Sequence, residues 1–256
     1  MAIIMNRLVQ KFKNTSVPDR LSDCHGVVQH LKFANTVAND AYPMALYMAV
    51  YLVWFSILER MNRLHYTVIH TALDDKIPFI EEFILPYYAW FFFVAIIMIL
   101  LYFKDRATYH RACAFLAIGM TVFLIVSTVW PNILYLRPAQ MPRDNIFTHM
   151  VSAIYRSDTP TNVCPSIHVY NSVAIILAVH SSSWRVFQKR WVRTLVTVQG
   201  ILIILSTMFI KQHSVFDVTM ALLMSLPCYL LTFRMGFTFV GSYMAKQGKR
   251  LQNSES

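Results

Sequence analysis

An all-α, polytopic membrane fold, with six transmembrane helices and both termini cytoplasmic, is implied by three features of this chain. The first is composition. Of 256 residues, 56% are hydrophobic and only 14% are charged, where a soluble domain carries about 25% charged residues. The second is that the apolar residues come in blocks, several of them approaching the ~20 residues that cross ~30 Å of hydrocarbon as a helix. The third is that lysine and arginine sort to one side of a six-crossing path, as the positive-inside rule requires of cytoplasmic loops.

Taken in order, Met1–Met5 is too short an apolar run before Arg7 to be a cleavable signal. Ile3, Ile4, Leu8, Val9 and Phe12 instead share one face of a short amphipathic helix, with Arg7, Lys11 and Lys13 elsewhere. Residues 1–41 therefore read as a cytoplasmic segment resting on the membrane surface. The spans are expected at Tyr42–Leu58, Ile84–Phe103, Ala112–Leu136, Ser166–His180, Val192–Ile210 and Val215–Phe233. They make 42–234 one membrane domain, followed by a polar cytoplasmic tail, 235–256.

The net charge of +10 would suggest nucleic acid in a soluble protein, but its placement excludes that reading. Lys104, Arg106, Arg111, Arg185, Lys189, Arg190 and Arg193 fall in loops on the same side as the basic termini. Charge is thus an orientation signal with anionic lipid headgroups as its partner. Cys24, Cys113, Cys164 and Cys228 have no plausible pairing across one compartment and read as free thiols. Trp54, Tyr87, Tyr88 and Trp90, near span ends, read as interfacial anchors.

Two outer loops are long. Glu59–Phe83 holds Asp74, Asp75 and Lys76, with Asp75 a solvated charge or part of a pocket entrance. Tyr135–Pro165 holds Arg137, Asp158 and Asn162, the last two read as loop braces or helix caps. Within it Ile146, Met150, Val151 and Ile154 mark a short surface helix that also carries His149.

Ionisable residues near membrane depth are functional candidates, and here they collect where the path brings three segments to one face. These are Arg137-Pro138, Cys164-Pro165-Ser166-Ile167-His168, and the turn from Ser206 to Asp217. His213 and Asp217 are four residues apart and share a helix face. The carboxylate can take the proton of one imidazole nitrogen and leave the other free to attack. His168 can protonate a leaving alkoxide. Ser166, after Pro165, opens a helix whose first N–H groups suit an anion. Arg137 offers a planar fork for phosphate oxygens, and Lys211 a point charge. His25, His30, His65, His70, His110 and His180 form no metal-ligand pattern, so neither a metal nor a cofactor is expected.

Pro-Ser-x-His, followed by Ser-x6-His-x3-Asp and preceded by Arg-Pro, resembles the three-part signature of the type-2 phosphatidic acid phosphatase superfamily. The resemblance runs over about Asp75 to Phe233. Asn-x-Cys-Pro-Ser-x-His and Lys-Gln-His look closest to its inositolphosphotransferase-like branch. It implies a six-helix fold, no metal, His213 as nucleophile, Asp217 as its partner and His168 as general acid. It also implies that Arg137, Ser166 and Lys211 hold the phosphate. The family's first-motif lysine is replaced by Trp130 and its third-motif arginine by Thr207; Lys211, four residues on, is placed to supply the missing charge. The expected activity is metal-independent hydrolysis of a lipid phosphate or diphosphate, with the active site on the extracytoplasmic face of the plasma membrane. The alternatives are a phosphotransferase of the inositolphosphorylceramide-synthase kind, and a non-catalytic lipid transporter or scaffold.

Overall fold

The computed structural model describes residues 42–61 and 65–238. In chain order they form helix α1 (Tyr42–Arg60), strand β1 (Thr67–Ile69), a 3-10 turn (Glu81–Phe83), α2 (Ile84–Lys104) and α3 (Arg106–Val129). Strand β2 (Asn132–Leu134), α4 (Ile146–Ser157), α5 (Ile167–Ser181), α6 (Arg190–Phe209) and α7 (Val215–Tyr229) follow, and a π turn carries α7 on to Arg234. The chain divides into two compact units, Met1–Met48 and Ala49–Ser256. Of the first, only 42–48 is described. The amphipathic segment, Cys24 and the tail beyond residue 238 lie outside the described residues.

Among the described residues five helices are long and apolar enough to cross a membrane: α1, α2 with its 3-10 turn, α3, α6, and α7 with its π turn. The fourth expected span, α5, has 15 residues, about 22 Å at 1.5 Å per residue, and falls short of a ~30 Å hydrocarbon core. It packs against α2, α3, α6 and α7, so apolar residues are needed all round it and no amphipathic stripe develops. Where α3 crosses it, Gly119 lets the Tyr170 ring lie on the α3 backbone; a Cβ there would sit 2.0 Å from the ring. Tyr170 stacks on Phe115 at 4.5 Å between centroids and donates its hydroxyl to the Phe115 carbonyl.

The third span is corrected at both ends. Its helix starts at Arg106, where the Asp105 side chain caps the Thr108 N–H, and it stops at Val129. Proline has no N–H to continue a helix and pushes its predecessor into extended backbone; Trp130, before Pro131, has φ −128° and ψ 77°. The chain beyond leaves helix altogether. Residues 132–134 pair in parallel with Thr67–Ile69, a two-stranded addition to the all-α expectation. The surface helix is present as α4, closed at its start by a reciprocal cap between Asn145 and Thr148.

Asp105 ties the opposite end of the bundle together. Its carboxylate, at the α2–α3 junction, accepts from Thr108, from the Ser182 hydroxyl at 2.8 Å and from the Ser183 N–H at 2.8 Å. That fixes the C-terminus of α5 level with the turn between α2 and α3.

Candidate active site

At the other end of the bundle, α6 stops in a tight turn. The N–H groups of both Gln212 and His213 fold back onto the Thr207 carbonyl, which requires Lys211 to adopt the left-handed conformation, φ 55°, where glycine ordinarily closes a helix. The Lys211 ammonium then donates to the carbonyls of Asp74 and Ile77. Other terminal carbonyls of α6 are taken up by the Ile80 N–H and by the Tyr155 hydroxyl at 2.7 Å. The turn is thereby fixed on every side.

The next helix starts two residues later. Ser214 and Asp217 form a reciprocal cap on α7. From the first loop the Asp74 carboxylate accepts from the Ser214 hydroxyl at 2.7 Å and from the Val215 N–H at 2.8 Å. Two carboxylates therefore sit at the positive end of the α7 dipole. Burial alone would raise the Asp74 carboxyl, but the bonds from Ser214, Val215 and Thr71 overcome it and hold the group below the usual carboxylate range.

His213 Nδ1 lies 3.3 Å from Asp217 Oδ2, which also accepts from the Ser214 N–H. Its Nε2 lies 3.4 Å from His168 Nδ1, at the start of α5. One side of His168 is walled by Tyr87 and Trp90 of α2, with centroids 4.8 and 4.4 Å away. Both histidines line a cavity of about 40 Å³, far below the ~300–1,000 Å³ of a drug-sized site. Its scale is that of a phosphoryl group. Glu59, Asp158, Asn162 and Gln212 line it as well. Burial raises the Asp158 carboxyl, while His213 and Arg137 pull the other way.

This is a pair of imidazoles, one oriented by a carboxylate, set for nucleophilic attack and proton transfer. The model of the PAP2 superfamily matches residues 131–240, a stretch that contains His168, His213 and Asp217. The match covers less than half of the chain and is consistent with a member of that superfamily. Neither a curated protein nor a solved structure matches the chain. PAP2 proteins are in general phosphatases or related phosphotransferases acting on lipid phosphates.

Of the six sequence-selected residues, His213 and Asp217 meet across their four-residue spacing, and His168 reaches His213 from the start of α5. Ser166 is buried at the N-cap of α5, its hydroxyl facing the Val169 N–H. Arg137 and Lys211 are turned to other work. The Arg137 guanidinium donates to the carbonyls of Tyr155 and Asp158 and, at 2.7 Å, to Gln212 Oε1, with its face on the Tyr155 ring. Neither cation lines the cavity.

Other residues matter more than their sequence context suggested. Asp74 read as one loop charge among several, and only the unfilled donors at a buried helix start could have pointed to it. Tyr87 and Trp90 read as interfacial anchors but form the wall of His168. Asn132 accepts from the N–H groups of Val163 and Cys164 and shapes the loop before α5. Asp158 does brace that loop, through its carbonyl. Asp75 pairs with His70 at the surface at 2.8 Å, and His149 is exposed on α4 beside Asp144. Cys113, Cys164 and Cys228 are free and buried; burial pushes the Cys164 thiol up to about 12, which makes it a poor nucleophile. Among the described residues no group of three or more His, Cys, Asp or Glu is arranged to hold a metal ion.

Proposed function

We propose that this chain is a metal-independent lipid phosphatase that works through a phosphohistidine on the extracytoplasmic face of the plasma membrane. The observation that carries the reading is His213 held between Asp217 and His168 beside a cavity of phosphoryl size. His213 Nε2 attacks phosphorus while Asp217 keeps the Nδ1 proton in place and stabilises the developing imidazolium. The P–O bond to the lipid breaks, and His168 gives its proton to the departing oxygen. His168 then takes a proton from water, the hydroxide displaces the phosphoryl group from nitrogen, and inorganic phosphate leaves with both histidines restored. The N–H groups at the start of α5, opened by Ser166, face the anion, and Arg137 and Lys211 supply positive potential from behind the cavity.

In-line transfer needs about 3 Å from nucleophile to phosphorus and about 3 Å from acid to leaving oxygen. The 3.4 Å between the two imidazoles is therefore a resting contact, which substrate opens. A transferase reading keeps the same first half-reaction, and Glu59 and Asp158 favour it, as carboxylates suited to hold an acceptor hydroxyl at the cavity.

Phosphate release from a panel of lipid phosphates and diphosphates, in detergent with EDTA, tests the reading. Wild type is expected to turn over and His213→Ala to be inactive, with an acid-labile, base-stable phosphoryl label on wild type alone. Turnover abolished by EDTA, or retained in His213→Ala, overturns the mechanism. Added inositol or glycerol converts the label to a polyol phosphomonoester only if the chain is a transferase.

A further inference from the structure

Helix α6 is long and apolar enough to cross a membrane, yet one residue at its centre does not suit hydrocarbon. Gln199 is the tenth residue of Arg190–Phe209, with about 14–15 Å of helix on either side of it at 1.5 Å per residue. That is the middle of a ~30 Å apolar core. Its amide carries donors and an acceptor, is partly exposed, and among the described residues is joined to no other group by a hydrogen bond. Other polar side chains of α6 are provided for within the chain. Thr197 meets His180, and Ser206 and Thr207 donate to the carbonyls of Ile203 and Ile204. Hydrocarbon offers an amide nothing to bond, which makes an unpaired one costly there.

The surroundings of Gln199 are shaped to receive another helix. With Leu202 it faces Leu85 and Ala89 of α2 across an open groove of about 430 Å³. Apart from Gln199, and Glu82 before the start of α2, the lining is apolar, and the small side chain of Ala89 permits a close approach. Beside the groove α6 exposes Trp191, Leu195 and Val198. Together with Leu202 they recur at intervals of four, three and four residues, the spacing of a helix–helix seam.

We propose that this face of α6 is the contact between two copies of the chain, with the two Gln199 amides bonded to each other across a twofold axis along the membrane normal. An acyl chain could fill the groove but brings no polar atom to mid-depth. A second copy, inserted in the same orientation, brings Gln199 itself to the same depth by symmetry. A primary amide is also self-complementary: the NH2 of each copy donates to the Oε1 of the other, as an isologous contact requires. The groove shares no lining residue with the reaction cavity, so the contact stands or falls apart from the catalytic reading.

The full-length chain, labelled at its amino terminus with donor or acceptor dye and reconstituted into liposomes, reports the contact as energy transfer over a series of protein-to-lipid ratios. Wild type is expected to dimerise reversibly. Gln199→Leu keeps the size and removes the amide, and is expected to raise the dissociation constant about threefold to thirtyfold. Gln199→Asn retains an amide and is expected to lose less, while circular dichroism reports that each variant is folded. Disulfide formation supplies a second measurement that does not depend on the glutamine. In a Cys24→Ser background, Leu195→Cys and Leu202→Cys on the seam are expected to cross-link to themselves on oxidation. Leu223→Cys, on the exposed face of α7, is expected not to. Unchanged dimerisation in Gln199→Leu, or cross-linking through Leu223→Cys in place of the seam, overturns the proposal. A chain that is monomeric at every dilution also overturns it and leaves the groove to an acyl chain.

Discussion

Asp74 joins the loop before α2 to the helix that carries Asp217, and it is 2% exposed. Removing it by Asp74→Ala strands the Ser214 hydroxyl and the Val215 N–H. With hydrogen bonds to a charged group worth about 1.5–3 kcal/mol, the variant is expected to melt several degrees lower in detergent and to lose most of its turnover. The pH dependence has a definite sign. The folded carboxyl is held below its unfolded value of about 3.9, so its stabilisation is fully present above that value and disappears as pH falls through the folded one. The gap in melting temperature between wild type and Asp74→Ala should stay constant from neutral pH down to about 4, by that reference value, and close below it. A gap independent of pH would contradict the account. His213, Asp217 and His168 were legible because a four-residue spacing and a Pro-Ser-x-His at a span start are local patterns. Asp74 acts across 141 positions and Asn132 by folding a loop, and nothing local marks them.

Packing between elements depends on small residues where backbones approach. Gly119→Ala would put a methyl group into the Tyr170 ring, which is locked by Phe115 and cannot retreat; overpacking of this kind costs about 1–3 kcal/mol. Gly200→Ala meets only Ile176, with its Cδ1 at 2.5 Å and Cγ1 at 2.9 Å, a side-chain end that can move. Thermal unfolding should therefore rank Gly119→Ala as clearly the more damaging. At this scale hydropathy found the helices but misplaced their ends. α3 stops at Val129, before Pro131, rather than at Leu136, and starts at Arg106, after the Asp105 cap, rather than at Ala112. For α5 composition alone does not separate burial on all sides from burial in lipid, since both leave the same apolar residues.

Across the whole molecule, the site gathers where α1 and α3 end, where α5 and α7 begin and where α6 stops, while Lys104, Arg106, Arg185, Lys189, Arg190 and Arg193 lie at the opposite end. The lysine and arginine bias thus separates the two ends of the bundle, and on the reading proposed above the site faces away from the cytoplasm. Single cysteines at Gln140 and Gln188, both exposed, test this on intact cells. In a Cys24→Ser background, where Cys113, Cys164 and Cys228 are buried, an impermeant thiol reagent is expected to label Gln140→Cys and to spare Gln188→Cys. Labelling of Gln188→Cys alone would invert the topology.

The Asp105 anchor at one end and the Trp90 contact at the other together set a depth. With α5 pinned level with the α2–α3 turn, its 15 residues bring His168 only as high as Trp90, six residues into α2, or about 9 Å along the axis from its start at 1.5 Å per residue. The reaction centre is recessed below the start of α2. On the proposed reading a phosphate headgroup at rest in the interface must descend toward it, and a lipid anchored by long chains is carried there by its own partition into the bilayer. Turnover should therefore favour membrane-embedded esters over water-soluble ones with the same headgroup, and should rise in thinner bilayers. Assays in liposomes of graded acyl length would show that trend, or its absence would place the entry route elsewhere.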